Sequence, residues 1–166
     1  DVLVVGAVYA GLRLDGVISA KVRRDGANAT QTLAQLILAS KFGAHVQGVL
    51  LQGIALAGFN VIDLYGLHDV LQRPVVAIAR KAPNMEAIQR ALLTRVPGGR
   101  SKWRLIERLG PMESVAGVYV QRAGISLLEV ETLVRTLAVN GVIPEPLRAA
   151  HLIAGGVGLG ESRHRV

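Results

Sequence analysis

The chain has 166 residues, 51% of them hydrophobic and 19% charged, with positive mean hydropathy; this fits one well-covered core and excludes an intrinsically disordered chain. It has no cysteine, which excludes disulfides, thiolate catalysis and cysteine-ligated zinc or iron–sulfur sites, and its apolar runs are broken by Gly, Arg or Gln before the roughly 18 residues a bilayer span requires. Nineteen Lys and Arg against twelve Asp and Glu leave a formal charge of +7, and fifteen of the cations are arginine, whose planar fork matches phosphate, so the balance suits a polyanion such as nucleic acid.

The chain opens Asp1-Val2-Leu3-Val4-Val5-Gly6, with no methionine and no signal-peptide charge pattern. Residues 2–9 and 17–22 are β-rich apolar runs around a glycine-bounded turn region, which predicts an antiparallel hairpin. Residues 29–42 carry Leu33, Ala34, Leu36 and Ile37 at helical spacing behind Thr30, an amphipathic helix of about three turns. Residues 46–51 read as a strand covered on both faces. A glycine-punctuated loop, 52–58, then leads into a helix over roughly 60–71. Residues 74–79 predict a second buried strand, 85–95 a helix capped by Asn84, 101–109 a short basic helix, and 117–121 a last strand. Ser126, with Glu129 three residues on, is a capping box for a helix to about residue 139, and Pro144 heads a final helix to 159. Strands alternating with helices, without repeats or a linker, predict one α/β domain over 1–166 built on a mixed sheet. The absence of an export or membrane signal predicts a cytoplasmic location.

The usual catalytic patterns are missing. His45, His68 and His151 are scattered, with no i, i+4 pair and no carboxylate at zinc spacing, so no metal site is assigned to them. No Gly-x-Ser-x-Gly elbow occurs, Gly53 and Gly58 are not followed by the Lys-Ser/Thr of a phosphate loop, and the glycines at 155, 156, 158 and 160 end a helix rather than begin one. Two basic clusters stand out instead. Lys102-Trp103-Arg104, flanked by Arg100 and Arg108, sets the only tryptophan between cations; Trp103 reads as a core anchor and the cations as a nucleic-acid track. Arg163, His164 and Arg165 close the chain at a helix C-terminus, where positive charge suits the dipole and could also clamp phosphate.

The stretch Val49-Leu50-Leu51-Gln52-Gly53-Ile54-Ala55-Leu56-Ala57-Gly58-Phe59-Asn60-Val61-Ile62-Asp63 resembles the signature of an archaeal endonuclease V-like family of the ribonuclease H-like superfamily. Flanking segments agree with it: Arg13-Leu14-Asp15-Gly16-Val17, Asp25-Gly26 with Ala29-Thr30, Val75-Val76-Ala77-Ile78-Ala79-Arg80-Lys81, Val118-Tyr119-Val120-Gln121, Ile143-Pro144-Glu145-Pro146-Leu147-Arg148, and Gly160-Glu161-Ser162-Arg163. The resemblance spans nearly the whole chain. It implies a ribonuclease H-like mixed sheet with helices on both faces, and an enzyme that cuts near a deaminated base with a divalent cation held by carboxylates.

It also implies where those carboxylates belong. One would lie on a first strand ahead of Asp1, which is expected to be missing from this chain. One would lie near the start of the first helix, where Asn28 and Gln31 stand, and one at the end of the next strand, where Gln52 stands. An amide offers an oxygen but no charge to a dication. Asp25 is the one nearby carboxylate that could substitute, whereas Asp15 and Asp63 read as turn and helix residues. The expectation is therefore a degenerate endonuclease V-like protein without metal or cofactor. It would bind nucleic acid, RNA or a ribonucleoprotein first, through Arg80, Lys81, Arg100, Lys102, Arg104, Arg108, Arg163 and Arg165. Two alternatives stand beside it: an active Mg²⁺-dependent endonuclease on inosine-containing DNA or RNA, and a protein-interaction factor of translation or repair. No membrane partner is expected, and the oligomeric state is left open.

Overall fold

The computed structural model describes residues 1–163 and 166, so His164 and Arg165 lie outside it. Strands β1 (Val2–Ala10) and β2 (Arg13–Val22) form the expected hairpin, closed at Gly11 and longer than predicted because pairing runs out to Arg13. Helix α1 (Ala29–Ala39) stops three residues early: the Ser40 N–H and hydroxyl both donate to the Ile37 carbonyl and turn the chain into a short 3₁₀ segment, Gly43–His45. Strand β3 (Val49–Gln52) follows, and then two small strands, β4 (Ala55–Leu56) and β5 (Asn60–Val61).

That β4–β5 pair corrects the helix predicted from residue 60. Ala55 and Leu56 pair with Val61 and Asn60, so the helix cannot start until Asp63 caps it. Helix α2 (Leu64–Leu71) leads to strand β6 (Val75–Ala79). Helices α3 (Met85–Arg95) and α4 (Gly99–Leu109) then pack as a helical hairpin. Strands β7 (Glu113–Val115) and β8 (Val118–Ala123) precede α5 (Leu127–Leu137) and α6 (Glu145–Leu159). β7 was not predicted, since three residues give no periodicity to read.

The main sheet has the order β3-β6-β8-β7, with β3 and β6 parallel and β8 antiparallel to both its neighbours. It is the mixed sheet expected. Strand β6 explains why both faces must be covered: Val75 and Ala77 point into a cluster with Leu33, Ile37, Leu64 and Leu67, whereas Val76 and Ile78 point into one with Val130, Val134 and Leu147. Thus α1 and α2 cover one face, α5 and α6 the other. The β1–β2 hairpin continues the structure beyond β3 without pairing to it, with α1 packed on β2 and α6 on β1. A third cluster, Val61, Leu92 and Ile106 with Phe59 and Trp103 against it, ties the α3–α4 hairpin to β5, and Trp103 is half-buried there as a core anchor. Among the described residues no helix is long and apolar enough to cross a membrane.

Candidate nucleic-acid-binding site

The site grows from the carboxyl ends of β3 and β6, where a parallel pair leaves its loops on one side. Three segments meet near there: the loop between β2 and α1, the β4–β5 turn, and the first turns of α4. Their junction is polar. Asn60 is fully buried; its carbonyl oxygen accepts from the Ala29 N–H at 3.0 Å, and its amide donates to the Arg23 carbonyl at 2.9 Å and to Asn28 Oδ1 at 2.8 Å. Asn28 Oδ1 also accepts from the Arg23 N–H at 3.2 Å. A buried amide with these bonds filled is a fastener.

Asp25 fastens the other side. It sits in the left-handed region at φ 52°, its N–H donates to the Ala57 carbonyl, and its Oδ1 accepts from the Phe59 N–H at 2.8 Å. Gly58, at φ 82°, must be glycine: a Cβ there would run into the Asp25 carboxylate. Lys102, 5% exposed, completes the junction by donating from Nζ to the Asp25 carbonyl oxygen at 2.6 Å. Asp25, Asn28 and Lys102 thus come together, and their hydrogen bonds join loops.

At the positions where the resemblance expects metal-binding carboxylates, the side chains are neutral amides or already hydrogen-bonded. Asn28 has Oδ1 committed to Arg23 and Asn60, Asp25 has Oδ1 committed to Phe59, and Gln31 and Gln52 are exposed amides. Among the described residues no three of His, Asp or Glu gather where they could hold an ion. A hard dication needs several, mostly ionised, oxygen ligands, so these residues do not fit one.

The cations divide by environment. Arg100, Arg104 and Arg108 are exposed on α4 and hold no carboxylate among the described residues; the Arg108 guanidinium lies 5.4 Å from the centre of the Tyr65 ring. Lys102, on the same helix, points inward instead and does not join that face. Arg80 and Lys81 stand just past the end of β6, both exposed, with Arg80 Nε donating to the Val166 carbonyl at 2.7 Å. Arg163 is exposed and paired with Glu161 at 2.8 Å. Arg165 lies outside the described residues. The sequence reading missed Asn60 and Tyr65. Asn60 carried a faint signal, a polar residue inside the apolar run Phe59-Val61-Ile62; Tyr65 carried none, because its relation to Arg108 exists only when α2 and α4 are brought side by side.

Residues 1–158 match the endonuclease dU family. A UPF0215 protein of Deinococcus radiodurans is 57% identical over 162 residues, a match that covers 98% of this chain and 82% of that protein. A UPF0215 protein of Methanothermobacter thermautotrophicus is 42% identical over 167 residues, with 98% and 82% covered. The crystal structure of a protein of unknown function from Archaeoglobus fulgidus superposes with a TM-score of 0.89 at 31% identity, covering 93% of this chain and 89% of that one.

Proposed function

Because the chain belongs to the endonuclease dU family, we propose that it acts on DNA containing deoxyuridine and that the residues described here supply the substrate-binding part of that activity. Charge placement is the observation that supports this. Residues 85–109, the α3–α4 hairpin, hold six cations against two carboxylates, a net +4 out of the chain's +7, and five of the six are exposed, Lys102 being turned inward. The hairpin follows β6 directly, so Arg80 and Lys81 lead into it. The phosphate backbone is met by this side of the molecule, which gives affinity without sequence preference. We read the sheet as ribonuclease H-like, a hairpin beside a parallel pair with helices on both faces.

Two readings of the chemistry differ in one respect. For cleavage, the carboxylates must come from elsewhere than Asn28, Gln31 and Gln52. Among the described residues β1 and β3 are each paired on one edge only, and α6 packs against both. For binding alone, with RNA or a ribonucleoprotein as the target, the amides at those three positions are the supporting observation.

The test uses matched strands carrying uracil, hypoxanthine or thymine, and an RNA of the same sequence, with Mg²⁺ or Mn²⁺. Preferential binding or cutting of the uracil strand supports the proposal. Cutting selects the nuclease reading, and tighter binding to the RNA without cutting selects the other in place of the proposal. Equal affinity for uracil and thymine strands without cleavage, or tighter binding to the RNA, overturns it.

A further inference from the structure

The outer face of α4 has a property that neither the family assignment nor the junction described above uses. Arg100, Arg104 and Arg108 are spaced by four residues, which places them within about 80° of the helix circumference and spreads them over about 12 Å. On that same wheel the buried residues Gly99, Lys102 and Ile106 fall on the opposite side, so the arginines point straight away from the core. Some arginines elsewhere are neutralised by a neighbouring carboxylate, Arg122 by Glu113, Arg135 by Glu131 and Arg148 by Glu145. On α4 the one acidic residue, Glu107, pairs with none of the three among the described residues. A row of unpaired guanidiniums is repulsive in itself, and a row of phosphates relieves that repulsion.

The row ends on an aromatic ring. Tyr65, in the first turn of α2, is 36% exposed and has the Arg108 guanidinium at 5.4 Å from its centre. A guanidinium plane and a tyrosine ring are the two surfaces on which an unpaired base stacks. In a duplex the base faces are covered by their neighbours, so such a platform serves a strand whose bases are free. We propose that α4 and Tyr65 form a track for single-stranded DNA, in which Arg100 and Arg104 hold successive phosphates and the Arg108–Tyr65 pair receives a base. The proposal rests on the reading of this protein as one that acts on deoxyuridine-containing DNA, and specifies that the substrate is an unpaired strand.

Fluorescence anisotropy with a dye-labelled single strand, run with one uracil and with none, and with the same sequence as duplex, tests it on the full chain. The single strand should bind at least tenfold more tightly than the duplex. Arg104→Glu should weaken single-strand binding by about tenfold and lower the salt slope by roughly 0.7 or more, the contribution of one lost phosphate contact. Tyr65→Ala should weaken it by about tenfold, as loss of one base stack does, with the salt slope unchanged, and Tyr65→Phe should restore it. Both side chains are exposed, and matched unfolding midpoints check that the variants fold. Duplex bound as tightly as single strand overturns the proposal, as does wild-type affinity in both Arg104→Glu and Tyr65→Ala. If those variants are silent while uracil strands are still preferred, the track falls and the family-based reading stands. If the variants lose binding but uracil and thymine strands are bound alike, the track stands and that reading falls.

Discussion

At the scale of single residues, the informative side chains are the ones that look wrong for their place. Asn60 is fully buried between Phe59 and Val61, yet its three hydrogen bonds join the end of β2, the start of α1 and β5. Truncation would leave the Ala29 N–H without its acceptor and the Asn60 site without its fill, and would take one of two donors from each of the Arg23 carbonyl and Asn28 Oδ1. Asn60→Ala should therefore cost about 3 kcal/mol, well above the value of one ordinary hydrogen bond, because desolvated groups lose their partners. Urea unfolding should show a lower midpoint at an unchanged slope. Asn28 and Gln52 illustrate the opposite case. Their identity as amides was legible in the chain, and with it the lack of charge for a dication; that Asn28 is a hydrogen-bonded fastener, and Gln52 an exposed strand end, was decided by neighbours far away in sequence.

At the scale of elements, α3 and α4 approach as closely as they do because of Gly99, where a Cβ would run into the Leu92 carbonyl oxygen. Gly99→Ala should push the two helices apart, destabilise the fold and loosen the cluster of Leu92 and Ile106; the expected readouts are a lower thermal midpoint and faster amide exchange on both helices. Helix α5 was the easiest to read, since Ser126 and Glu129 form their capping box as predicted, Ser126 Oγ accepting from the Glu129 N–H at 3.1 Å. Ser126→Ala should cost about 1 kcal/mol, seen as a shift in the unfolding midpoint. Helix α6 carries a pH dependence. Hydrogen bonds from the Arg148 guanidinium hold the Glu145 carboxyl below its ordinary range, partial burial opposes this, and Asn140 adds a further hydrogen bond. A carboxyl depressed in the folded state stabilises fully above its unfolded value, about 4.3 for glutamate, and that contribution drains away as pH falls through the folded value. The thermal midpoint of Glu145→Gln should accordingly lie below the parent at neutral pH and converge on it in acid.

At the scale of the molecule, the net charge is concentrated on one helical hairpin, so DNA binding should be governed by counterion release. Raising salt from about 50 to about 200 mM should reduce affinity by at least tenfold, and a flat binding curve would remove the α3–α4 hairpin from the interface. Part of this molecule is legible in its chain alone. Composition, charge and local periodicity determined an α/β chain, the hairpin of β1 and β2, the buried β6, the caps at Asn84 and Ser126, and an arginine-rich helix around Trp103. These are local properties: each depends on residues within a turn or a strand of one another. The tertiary structure decided the rest. It turned residues 60 and 61 into a strand, because Ala55 and Leu56 offered a partner; it drew Lys102 inward to the Asp25 carbonyl while leaving Arg100 and Arg104 outside; and it set Tyr65 beneath Arg108. A side chain's role at a site depends on what arrives from elsewhere in the chain, and only packing the elements against one another determines that.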